Sequence, residues 1–198
     1  MNYKPGDLYI GVIDFFGILV PGAVLLFLHG ESLAKPLGLS PNPEQAPILI
    51  AFFVGAYVFG HILLGLGVPL NKLLRVYRPE EKDVFYKTIQ DRIDLPEEIE
   101  DDKRTNSFYR AYAFVRLQNS AALSEIERQM ADYKLFRSLT IVFGLDLVLT
   151  VVLGELGSFR PLLSGMFFII AAWRYLFLLD WTYRITFEYY ALLRGSQS

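Results

Sequence analysis

Long apolar runs alternate with polar segments along this chain. Four runs are nearly free of charge: Leu8–Leu28, Pro47–Leu70, Leu139–Leu156 and Leu162–Leu179. An α-helix rises about 1.5 Å per residue, so about 20 residues cross a hydrocarbon core about 30 Å thick. The first two runs have that length. The last two reach it when the flanking residues Tyr133–Ser138 and Asp180–Tyr183 are included. The pattern predicts an all-α polytopic membrane protein with four transmembrane helices. They form one hairpin over residues 1–70 and a second over residues 137–198, the latter ending in a cytoplasmic tail, with a cytoplasmic helical region at residues 71–136 between them. A soluble bundle is the alternative, but four core helices would leave a chain this short almost no amphipathic layer to cover them.

The insert has its own pattern. Arg78-Pro79-Glu80-Glu81 reads as a helix start, with proline in the first turn and acids near the positive end of the dipole; that helix is expected to run to about Arg92. The acidic stretch Glu97–Asp102 follows as a solvated loop. A second helix begins near the capping residues Thr105-Asn106-Ser107. No proline or glycine interrupts it before Gly144, so Thr105–Leu153 is expected as a single rod of about 70 Å. Phe108, Tyr112, Val115, Asn119, Ala122, Ile126 and Tyr133 recur along it mostly in steps of four and three, a heptad seam with Asn119 as its register-setting polar residue. Its partner is either the Pro79–Arg92 helix or another subunit.

Charge sets the orientation. Twelve Lys and Arg lie in Asn71–Phe136, whereas Gly30–Ala46 has only Lys35 and Gly157–Pro161 only Arg160. The excess of basic residues places both termini and the insert in the cytoplasm. The formal net charge of −2 gives no global pull toward nucleic acid or an anionic surface, so any such affinity must be local. The apolar run after Lys4 is too long for a signal-peptide core and lacks a small-x-small cleavage site, so it reads as a retained span. With no cysteine there are neither disulfides nor thiolate metal sites.

Ionisable residues inside lipid are costly and need a reason. Counted from the cytoplasmic side, Asp14, His61, Asp146 and Arg174 fall about 9–13 Å deep, one in each run. They are expected to meet in one polar layer of the inner leaflet, as an ion cluster or as the lining of a wet path. Close packing is also written into the second run, where Ala51 with Gly55 and Ala56 with Gly60 form small-xxx-small pairs. Pro21 predicts a kink in the first.

The usual catalytic arrangements are missing: no nucleotide-binding glycine loop, no paired histidines at metal spacing, no HExxH. No catalytic residue, metal or cofactor is therefore assigned, and an enzyme is not expected. One segment interleaves basic and aromatic residues, and Lys103, Arg104, Tyr109, Arg110 and Arg116 on it could hold phosphates and stack a base. An ordinary amphipathic helix with surface arginines gives the same pattern.

Two membrane hairpins with a helical cytoplasmic insert, together with Asp14-Phe15-Phe16, Leu19-Val20-Pro21-Gly22 and Gly60-His61, resemble small channel-type effectors of bacterial anti-phage defence, such as the Hailong-type membrane component. The resemblance implies a homo-oligomeric pore in the cell inner membrane, gated by a cytoplasmic nucleotide or single-stranded nucleic-acid ligand. The rival expectation is a non-conducting scaffold that docks a cytoplasmic protein partner.

Overall fold

A computed structural model describes residues 5–34, 46–76, 101–153 and 158–195. They form five helices: α1 (Pro5–Ala34), α2 (Ala46–Val76), α3 (Asp101–Gln118), α4 (Ser120–Val152) and α5 (Arg160–Gly195). Three of them, α2 over Leu49–Leu70, α4 and α5, are long and apolar enough to cross a membrane. In α1 the apolar stretch with described side chains, Gly17–Gly30, is shorter than a crossing. The helix expected at Pro79–Arg92 lies outside the described residues.

The chain divides into two compact units, the first comprising residues 1–68 and 131–177, the second residues 69–130 and 178–198. In the first, α1 and α2 cross through their glycines. A β-carbon at Gly22 would overlap the Ala56 carbonyl, and one at Gly60 would overlap the Ile18 carbonyl. Of the two small-residue pairs on α2, Ala56 with Gly60 thus serves a crossing within the chain, where backbones touch and only glycine fits. Ile18 meeting Gly60 while Gly22 meets Ala56 makes the two helices antiparallel. Within the same unit α4 and α5 are antiparallel too: Asp146 meets Ser164 while the Phe143 and Phe167 rings stack with centroids 5.2 Å apart, and Gly144 makes room for the Phe168 ring.

The second unit is held by side chains. Phe108, Ala111 and Phe187 form one buried cluster, with Tyr183 and Tyr190 against it. Val115, Ala122 and Ile126 form another, covered by residues including Ile185, Tyr189 and Leu193 of α5. Val115 and Ile126 are fully buried, and each such side chain contributes about 1.5–3 kcal/mol. The heptad seam therefore finds its partner in the C-terminal half of α5.

The expected rod is interrupted. Asn119 lies outside both α3 and α4, and its side-chain oxygen accepts from the amides of Ala121 (3.0 Å) and Ala122 (3.1 Å). Those amides would otherwise bond the carbonyls of Leu117 and Gln118, so Asn119 is an N-cap that starts α4 afresh. The chain bends there: the Tyr112 hydroxyl donates to Glu127 Oε1 at 2.8 Å, although fifteen residues of straight helix would separate them by about 22 Å. Asn119 is exposed rather than part of the seam.

Candidate functional site

The most concentrated polar chemistry in the first unit surrounds Asp146 on α4. Its side chain is 0% exposed, and a carboxylate so buried needs donors on both oxygens. At the start of α5, one turn supplies two of them. Arg160 Nη2 donates to Oδ1 at 2.6 Å, and Ser164 Oγ donates to Oδ2. The same Nη2 also donates to the Leu28 carbonyl on α1 at 3.1 Å. His29, one residue further along α1, brings Nε2 to 3.1 Å from Oδ1 without the alignment of a hydrogen bond. Placement at the first turn of α5 also sets the carboxylate at the positive end of that helix dipole. Thr150 returns its hydroxyl to the Asp146 and Leu147 carbonyls, both at 2.9 Å. The knot thus ties α1, α4 and α5 through one anion.

Chemically this is a tether, not a nucleophile. Ser164 and His29 approach opposite oxygens of the acid, so the carboxylate stands between them. A hydrolytic triad needs the imidazole between serine and acid. No group of three or more metal-ligating side chains occurs among the described residues.

A buried cation sits nearer the start of α4. Arg137 is 5% exposed, and its Nη2 donates to the Leu64 carbonyl of α2 at 3.1 Å. The guanidinium lies across Gly67, where any side chain would collide with it. Its Nε and the neighbouring Ser138 hydroxyl are buried without a hydrogen-bond partner.

Of the four residues expected to share one polar layer, Asp146, Arg174 and His61 have separate contacts. Asp146 takes its bonds from Arg160 and Ser164, not from Arg174. Arg174 is half-buried, with its guanidinium 6.0 Å from the Phe136 ring centroid and 5.4 Å from that of Phe177, a cation–π arrangement. His61 is exposed and meets the Tyr57 ring edge-on with centroids 4.6 Å apart. The Asp14 side chain lies outside the described residues. Depth counting takes Arg137 as the inner edge of the third run, and Arg137 is buried against α2. Measured from its partners His29 and Arg160, which close their own runs, Asp146 belongs to the opposite end of α4. The sequence carried a signal for this, since His29, Arg160 and Ser164 all lie at the ends of runs on one side.

On α3, Tyr109 is 60% exposed and meets the Phe108 ring edge-on, centroids 5.8 Å apart. Arg110 and Arg116 are also exposed. Lys103 and Arg104 lie on α3, but their side chains are outside the described residues. The chain matches no protein-family model, no curated protein and no solved structure. The class that helix length and apolarity define is a multi-pass α-helical membrane protein.

Proposed function

We propose that this chain is one subunit of a homo-oligomeric membrane channel, or pore-forming effector, gated from the cytoplasmic side. In this reading α1 is a fourth span, and both termini and the insert are cytoplasmic in the cell inner membrane. The observation that carries the reading is the set of ionisable side chains in the apolar helices for which the described residues supply no polar partner. His61 is exposed, and the contacts of Arg174 among the described residues are aromatic rings. An arginine at the centre of a span costs about 2.5–3.5 kcal/mol on insertion scales, so such groups face bundle interiors or water-filled paths. A single chain supplies neither for them; several copies around an axis supply both.

The gating signal follows from the insert. The resemblance to Hailong-type effectors suggests a nucleotide or single-stranded nucleic acid, and Lys103, Arg104, Tyr109, Arg110 and Arg116 form its surface in this reading. Phosphate contacts release counterions, so binding weakens steeply with salt and again in Arg110→Ala. The test of the whole reading is conductance of the purified full chain in planar bilayers. Unitary current steps are expected, and a silent bilayer under all cytoplasmic ligands overturns it. The scaffold alternative draws on Leu117, 84% exposed on α3, and predicts a captured cytoplasmic protein with no current.

A further inference from the structure

We infer that the face of α2 bearing Val54, Val58, His61 and Gly65 is where a second copy of this chain packs, α2 against parallel α2, about an axis along the membrane normal. The inference rests on the oligomeric reading and names the surface that reading leaves open. Successive helix residues turn by about 100°, which puts Ala56, Gly60, Leu63 and Gly67 within about 60° of one another. All four are buried, facing α1 and α4. The opposite side of the helix carries Val54, Val58, His61, Gly65 and Val68, spaced by four and three, and all five are exposed. This is a second seam with heptad spacing on a helix whose first seam is already occupied.

Three features distinguish it from a face meant for lipid. Apart from His61, the residues along its centre are small or β-branched, flanked by the larger Phe53, Tyr57, Ile62 and Leu66, so the surface either side of the imidazole is a shallow groove that admits another helix. A β-carbon at Gly65 would meet nothing within 4 Å, so the space above that glycine is open in one chain. Mid-groove stands an imidazole whose contact among the described residues is the edge of an aromatic ring. Neutral histidine carries one donor and one acceptor. Hydrocarbon satisfies neither, while a second His61 across the seam can donate to or accept from the first.

The chain has no cysteine, so a single introduced thiol reports one position. Val54→Cys, Val58→Cys and Gly65→Cys, each in the full chain in native membranes, are expected to form intermolecular disulfides under mild oxidation. Leu66→Cys on the flank and Ile169→Cys on α5, 51% and 67% exposed in the wild type, are expected to form no intermolecular disulfide. Gly65→Leu has room within the protomer and should raise the dissociation constant of the assembly roughly tenfold, the scale of one interhelical packing contact. Cross-linking at the two control sites with none along the seam overturns the inference, as does unchanged association of Gly65→Leu. If the untreated protein is oligomeric by native mass but the seam stays unlinked, this face is wrong and the channel reading stands. A monomer with no cross-link anywhere overturns both.

Discussion

Two ways of joining helices meet in this molecule. In the first unit, backbones touch at Gly22 and Gly60, and cations reach backbone carbonyls or a buried carboxylate: Arg137 to Leu64, Arg160 to Leu28 and Asp146. In the second unit, Phe108, Val115 and Ile126 interlock with the aromatic and aliphatic side of α5. Charge pairs there run along single helices, Arg128 with Glu125 and Arg184 with Glu188, with side chains substantially exposed. The difference matches the proposed topology, with the first unit in lipid and the second in water. In water, burying apolar side chains drives association. Between helices surrounded by lipid that force is missing, and close backbone contact with internal hydrogen bonds replaces it. The same residue types therefore carry different weight in the two units, and graded substitutions measure how different.

The largest effect is expected at Asp146. Asp146→Ala leaves Arg160 without its carboxylate and Ser164 without its acceptor. Breaking a buried pair from one side costs about 3–5 kcal/mol, and Arg160, with a side chain 39% exposed, can relax toward the lower end. Thermal unfolding of purified protein in detergent should show a large drop. Asp146→Leu combined with Arg160→Met should recover much of it, because both charges then leave together. If the double variant is as unstable as the sum of its parts, the knot does not act as a unit.

Next comes the aliphatic seam. Ile126→Ala empties a fully buried site and is expected to cost about 2–5 kcal/mol. Hydrogen exchange localises the loss: faster exchange should appear in α3, the start of α4 and the C-terminal half of α5, sparing the amides around Gly22 and Gly60. Uniform acceleration over both units would erase the contrast between them.

A smaller effect tests the turn. Asn119→Ala removes the acceptor for the Ala121 and Ala122 amides and should cost about 1 kcal/mol. Asn119→Asp should retain most of the stability, since aspartate caps as well as asparagine. Equal losses in both variants would mean that the cap is incidental and another feature sets the bend.

These substitutions also show what the sequence made legible. Spans α2, α4 and α5 follow from run length, since about 20 apolar residues in a row have few other uses. The Val115–Ile126 seam follows from heptad spacing, and Ile126 is fully buried as that spacing requires. Asn119 was ambiguous because a heptad position and an N-cap favour the same residue, and no proline or glycine marks the bend. Arg137 was opaque for a different reason. Nothing local says that an arginine at the end of an apolar run will turn inward; only the vacancy at Gly67, seventy residues away, permits it. The Asp146 knot was legible only in part: its donors Arg160 and Ser164 stand at the end of a run, but that they meet Asp146 is set by how α4 packs on α5. Helices are local and were readable, whereas polar partners across helices are set by packing.

The smallest expected effect completes the series, and its size is the point. Arg184 Nε lies 3.1 Å from Glu188 Oε1 one turn along α5, with side chains 55% and 53% exposed. This is the same pairing of guanidinium and carboxylate as Arg160 with Asp146. Water, however, solvates both partners before and after pairing, and holding two long side chains in one geometry costs entropy. Exposed pairs at this spacing are worth about 0.3–0.5 kcal/mol and are screened by salt. Glu188→Gln should therefore shift unfolding barely beyond error at low salt and not at all at high salt, with unfolding followed by circular dichroism. Asp146→Ala should keep most of its penalty in the same high salt, because ions do not reach a carboxylate that is 0% exposed. If salt erases both effects alike, Asp146 is hydrated in the protein, and the knot belongs to a water-filled path rather than to a dry tether between helices.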